Sequence, residues 1–126
     1  MSAAVAVGAS PVAEAGRGWP RFTAAAVQAA PAYLNSDATV DKACALIREA
    51  GRAGARLIAF PEAFVPGFPH WIYLDRPHAN ERYFVDLVRE AVEVPGPITE
   101  MIGLAAREAS AYVVIGVSER SRRSVG

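Results

Sequence analysis

The stretch RLIAFPEAFVPGFPHW, Arg56 to Trp71, decides how the chain reads. Leu57 to Phe60 form a short apolar run without polar alternation, the pattern of a strand covered on both faces. One proline later comes a carboxylate, Glu62, followed by Pro66, Gly67 and Pro69 among the rings of Phe64, Phe68 and Trp71. In parallel α/β sheets, sites gather beyond the carboxyl ends of strands, where loops diverge around a crevice. Glu62 stands at such a position, and Phe64, Phe68 and Trp71 are expected to wall it from water. A carboxylate in a poorly hydrated pocket has its charged form destabilised, the condition for a general acid or base near neutral pH. A glutamate after a strand is usually a solvated loop residue or a helix-start cap, and residue types alone favour that reading.

Working outward, RFTAAAVQAAP reads as a strand through Val27 or Gln28, stopped by Pro31. NSDAT then supplies N-cap candidates, and from Val40 the apolar or small residues fall at 40, 43, 44, 47, 50, 51 and 54. That spacing predicts an amphipathic helix, closed by Gly51 and Gly54. Strand, helix and strand in sequence predict a parallel pair joined by a right-handed crossover. Beyond the aromatic loop, Tyr83, Phe84, Leu87, Val88 and Ala91 predict a second helix. VPGP interrupts at Val94 to Pro97, and Ile98, Met101, Ile102, Ala105 and Ala109 predict a third, with Pro97 in its first turn. AYVVIGVSER predicts a last strand from Ala111 to about Glu119.

This order is α/β. Three strands with helices to one side leave a sheet face and at least one edge uncovered, so residues 21–126 read as an incomplete domain. Residues 1–20 are small and punctuated by Gly and Pro, and read as a flexible tail.

The 126 residues are 52% hydrophobic and 21% charged, which suits a packed core rather than disorder. Thirteen basic residues balance thirteen acidic ones, so the charge footprint of a nucleic-acid or anionic-membrane binder is missing. No apolar run approaches the roughly 18 residues of a membrane span. The single cysteine, Cys44, allows no internal disulfide, and a reducing, cytoplasmic setting is expected.

LIAFPEAFVPGFPHW, preceded by AAAVQAAP and followed by VPGP and YVVIGVSER in that order, resembles the N-terminal part of the carbon–nitrogen hydrolase superfamily. The Pro-Gly-Phe-Pro-His-Trp continuation is similar to its nitrilase branch, with an amidase-type member as the alternative. The resemblance implies the start of an α-β-β-α sandwich and a Glu–Lys–Cys catalytic set that needs no cofactor and no metal. It implies a small-molecule nitrile substrate, converted to carboxylic acid and ammonia, and a homo-oligomer when the fold is complete. The glutamate maps to Glu62, with Phe64, His70 and Trp71 as candidate substrate-binding residues.

The family's lysine and its Cys-Trp-Glu cysteine have no counterpart in these residues, so the chain by itself is expected to be inactive. Lys42 and Cys44 stand two apart on one predicted helix, point about 200° away from each other, and cannot converge on one substrate. Cys44 lies on the apolar stripe and reads as packing; Lys42 reads as a solvated helix residue. By residue type His70 reads first as structural, His78 reads as loop surface, and two histidines without a third ligand are weak grounds for a metal. Two other readings stand beside the enzyme. One is a truncated, non-catalytic relative acting at most by association, and the other is a small ligand-binding module. No glycine-rich phosphate-binding pattern opens any predicted helix.

Overall fold

The computed structural model describes residues 4–8, 20–74 and 76–121. Among them, β1 (Ala4–Gly8), β2 (Ala24–Gln28), β3 (Leu57–Ala59) and β4 (Tyr112–Val114) form one sheet in that spatial order. β2, β3 and β4 are parallel, with Ala25 opposite Ile58 and Ile58 opposite Val113. β1 runs antiparallel to β2, Val5 facing Val27. The expected tail therefore contributes a strand at Ala4–Gly8, while the rest of it before Pro20 lies outside the described residues.

Helix α1 (Ser36–Arg52) begins where expected because Asn35, in an extended conformation, accepts a hydrogen bond from the Ala38 amide at 3.0 Å. Thr39, fully buried, donates its hydroxyl to the Ala32 carbonyl at 2.9 Å and ties the first turn to the chain leaving β2. The far end closes through Gly54 at φ +86°, a conformation that suits a residue without Cβ. Helix α3 (Pro97–Glu108) starts with Pro97 as its first residue, and Thr99 exchanges hydrogen bonds with the Gly96 backbone.

α1 and α3 pack together on one face of the sheet. Val40, Ala43, Cys44, Ile47 and Ala50 from α1 and Ile102 and Ala105 from α3 meet Ala25, Val27 and Ile58 from the strands. Their burial follows the two periodicities, 3.6 on the helices and 2 on the strands. Fully burying a side chain the size of Ile47 or Ile58 stabilises the fold by about 1.5–3 kcal/mol.

β3 was expected to be covered on both faces, but it is covered on one. Ile58 is buried while Ala59 is exposed, as are Tyr112 and Val114 of β4. The apolar run is the signature of two covering layers, and the described residues supply the helical layer alone. β4 is also shorter than expected, because beyond Val114 the extended chain makes isolated bridges, Val117 with Val65 and Glu119 with Val92. The backbones of Val114, Gly116, Ser118 and Arg120 take part in this pairing, and they share one edge of the strand. Its opposite edge is unpaired among the described residues, as the sequence pattern anticipated.

Helix α2 (Glu81–Glu90) forms as expected but buries none of its residues, and Phe84 and Val85 face outward. Among the described residues its apolar stripe is only partly covered, with Tyr83, Leu87 and Val88 half-buried. No helix among them is long and apolar enough to cross a membrane.

Candidate functional site

Glu62 lies in a short excursion from the sheet, and its position follows from where the pairing with β4 stops and resumes. The Phe60 amide donates to the Val114 carbonyl at 2.8 Å. Pairing resumes at Val65, whose amide donates to Gly116 at 3.2 Å and whose carbonyl accepts from the Ser118 amide at 2.8 Å. Between Phe60 and Val65 the chain takes five peptide steps to advance along a partner that advances two residues, so Pro61 to Phe64 loop out. Ala63 takes φ +44°, an uncommon choice for a residue with a Cβ. The result is an exposed glutamate whose backbone is fastened at both ends.

The aromatic wall expected around Glu62 is not formed as expected. Phe64 turns inward, 1% exposed, and packs against Phe60 with ring centres 5.0 Å apart. Trp71 is buried between Tyr33 and Tyr83, at 6.1 and 5.6 Å between ring centres. His70 is exposed and lies against Phe68, which stacks in turn on Tyr73. Among the described residues no hydrogen bond or ion pair joins Glu62 to Phe64, His70 or Trp71. The rings therefore organise the loop itself. Pattern reading overestimated the enclosure because rings that follow a carboxylate closely in sequence found apolar partners on other segments.

That loop is held to the β2–α1 connection. The Leu34 amide donates to the Pro66 carbonyl at 2.9 Å, and the Tyr33 hydroxyl donates to the Phe68 carbonyl at 3.1 Å. Burial pushes the Tyr33 phenol up, which keeps it a neutral donor. Asn80, buried, donates its amide to the carbonyls of Trp71 at 3.1 Å and Arg76 at 3.4 Å. Sequence reasoning missed Asn80, since an asparagine ahead of a helix reads first as a cap; here the side chain makes no capping bond. It also missed Gly116, although a glycine inside an apolar strand pattern marks a bulge or a close backbone approach.

Lys42 and Cys44 diverge, as their spacing requires. The Lys42 ammonium, half-buried rather than fully solvated, donates to the Ala30 carbonyl at 2.8 Å. The Cys44 thiol is buried between α1 and α3, 3.7 Å from the Met101 carbonyl, and burial pushes its pKa up. A thiol so placed is a poor nucleophile. His78 is on the surface near Glu81, at 3.7 Å, as its loop position suggested.

A cleft of about 640 Å³ opens at the other end of the sheet, lined by Phe22, Arg56, Leu57 and Tyr112 among others. It faces the amino ends of the parallel strands. Glu62 and the diverging loops lie at the opposite, carboxyl ends, where sites gather in parallel sheets, so size alone does not make this cleft the candidate site.

The carbon–nitrogen hydrolase family model matches residues 23–125. The chain is 39% identical over 107 residues to a nitrilase of Bacillus sp. (strain OxB-1), which covers 85% of this chain and 31% of that protein. It is 40% identical over 105 residues to an aliphatic nitrilase of Rhodococcus rhodochrous, covering 82% and 29%. To an arylacetonitrilase of Aspergillus oryzae (strain ATCC 42149 / RIB 40) it is 39% identical over 101 residues, covering 80% and 30%. The chain thus spans about three tenths of the length of the curated relatives it matches.

Proposed function

We propose, since the chain belongs to the carbon–nitrogen hydrolase family, that it supplies the general base of an enzyme that hydrolyses a nitrile to a carboxylic acid and ammonia. The observation that carries this reading is Glu62. It is an exposed carboxylate on a backbone fastened at both ends, at the carboxyl end of a parallel sheet, in a segment similar to nitrilases. A fixed backbone with a free carboxylate is what proton transfer from a thiol or a water beside bound substrate asks of a general base.

The chemistry is covalent catalysis by a thiol. Glu62 accepts the thiol proton and the thiolate adds to the nitrile carbon, giving a thioimidate. Water activated by Glu62 adds to it, and ammonia leaves from the tetrahedral adduct. A second water hydrolyses the resulting thioester, releasing the acid and restoring the thiol. A lysine ammonium offsets the charge that develops at the substrate nitrogen. Cys44 and Lys42 fill neither role, being turned into the core and onto the Ala30 carbonyl, so residues outside these 126 supply both partners. The chain alone then hydrolyses no nitrile, and the complete protein associates as a homo-oligomer in the cytoplasm. His70 and Phe68, on the exposed side of the loop, are the better placed of the aromatic residues to meet substrate; Phe64 and Trp71 act by supporting the loop.

A chimera tests this, with residues 1–126 replacing the matching segment of the Bacillus sp. nitrilase. It should release ammonia from a nitrile, and Glu62→Gln should lower kcat/KM by about 10²–10⁴ in a protein that still folds. A Glu62→Gln chimera that keeps the parent rate would remove Glu62 from the mechanism.

A further inference from the structure

Gly116 lies directly against the peptide that carries Glu62. A Cβ at this position would stand 3.1 Å from both the Cα and the carbonyl carbon of Glu62, and closer still to the Ala63 nitrogen. These are backbone atoms, which cannot swing away as a side-chain tip does. The same glycine accepts the Val65 amide bond that ends the excursion, so the loop is anchored to Gly116 and pressed upon it at once. The Phe60–Val114 bond at the other end leaves the loop no freedom to slide along the strand.

We infer that Gly116 is a positioning residue for Glu62: its missing side chain sets the depth at which the Glu62 peptide seats on β4's continuation, and hence where the carboxylate stands. This rests on the reading of Glu62 as the base. Gly116 touches no reacting atom in it. Any side chain at 116 lifts the Glu62–Ala63 peptide off the strand while the two ends of the loop stay fastened at Phe60 and Val65. The displacement falls on the carboxylate. An error of about 1 Å in a reacting group lowers rates by about a hundredfold. Ala63, already at φ +44°, is where the loop yields least easily, and a glycine there would give it room.

The test uses the chimera with Gly116→Ala, the double variant Gly116→Ala/Ala63→Gly, and Gly103→Ala as a control. Gly103 lies on α3 with open space where a Cβ would go. The expected result for Gly116→Ala is a kcat at least tenfold lower with KM changed less than threefold, partly restored in the double variant. Gly103→Ala should match the parent. Amide resonances of Glu62 and Ala63 in the 126-residue chain should shift with Gly116→Ala while those of Ile47, in the α1 core, stay in place. A folded Gly116→Ala protein with parental kcat overturns the inference, as does a loss of folding that Ala63→Gly fails to relieve. If Glu62→Gln retains full rate, the base reading fails. Unmoved Glu62 resonances would instead strike at Gly116 alone, so the two failures are told apart.

Discussion

The Cys44 thiol stands 3.7 Å from the Met101 carbonyl oxygen, across the contact between α1 and α3. The only thiol of the chain thereby joins the two helices of its core. Replacing it with alanine removes buried volume and should lower stability by about 1 kcal/mol, read from urea unfolding.

Burial raises the Cys44 pKa in the fold, so the unfolded chain releases that proton first as pH rises. The stability tied to this group is whole below about pH 8.5, the ordinary thiol value, and is lost as pH climbs toward the folded value. The melting temperature of the parent should therefore fall more steeply between pH 8 and 10 than that of Cys44→Ala. Parallel slopes in the two proteins would show that the thiol contributes nothing to the pH dependence.

Gly67 has φ +129°, and a Cβ there would stand 2.6 Å from the Tyr33 ring. Gly67→Ala meets backbone strain and a ring collision together, with an expected loss of about 1–3 kcal/mol. Because Tyr33 holds the Phe68 carbonyl, the loss should appear as faster amide exchange through residues 66–71 before global unfolding. Unchanged exchange in this loop would argue against the packing described.

Asn80→Ala leaves the Trp71 and Arg76 carbonyls without their shared donor. Both carbonyls keep a backbone donor, the Leu74 and Ala79 amides, so the expected destabilisation is about 0.5–1.5 kcal/mol, the net worth of a hydrogen bond. Trp71 fluorescence should shift toward that of a hydrated indole at denaturant concentrations where the parent is unaffected. Coincident transitions by fluorescence and circular dichroism in both proteins would count against a local role for Asn80.

Tyr112 and Val114 present 82% and 59% of their surface, side by side on the uncovered sheet face beside an unpaired strand edge. Such surface drives self-association. Tyr112→Lys/Val114→Lys in the 126-residue chain should lower the weight-average mass in sedimentation without lowering the melting temperature. In the chimera the same change should be destabilising if that face is covered there.

Most of the element order was legible because it is written locally. Asn35 ahead of the α1 stripe, Pro97 at the start of α3, and the apolar run before Glu62 each act within a few residues of where they stand. The same local logic failed for the rings. Phe64 and Trp71 obey no short period, and their partners are chosen by which distant segments the fold brings alongside. The strand at Ala4–Gly8 was passed over for a related reason: its short Ala–Val alternation stands among small residues punctuated by Gly and Pro, and it is pairing with β2 that makes it a strand.

The sequence by itself determined that a carboxylate follows a parallel strand at its carboxyl end, and that Lys42 and Cys44 diverge, since both follow from helix and strand geometry over neighbouring residues. Only the tertiary structure decided that Glu62 is exposed on a backbone fastened by Val114 and Gly116, that Phe64 faces the core, and that Asn80 braces Trp71. These depend on contacts between residues far apart in the chain, and nothing local to either partner specifies them.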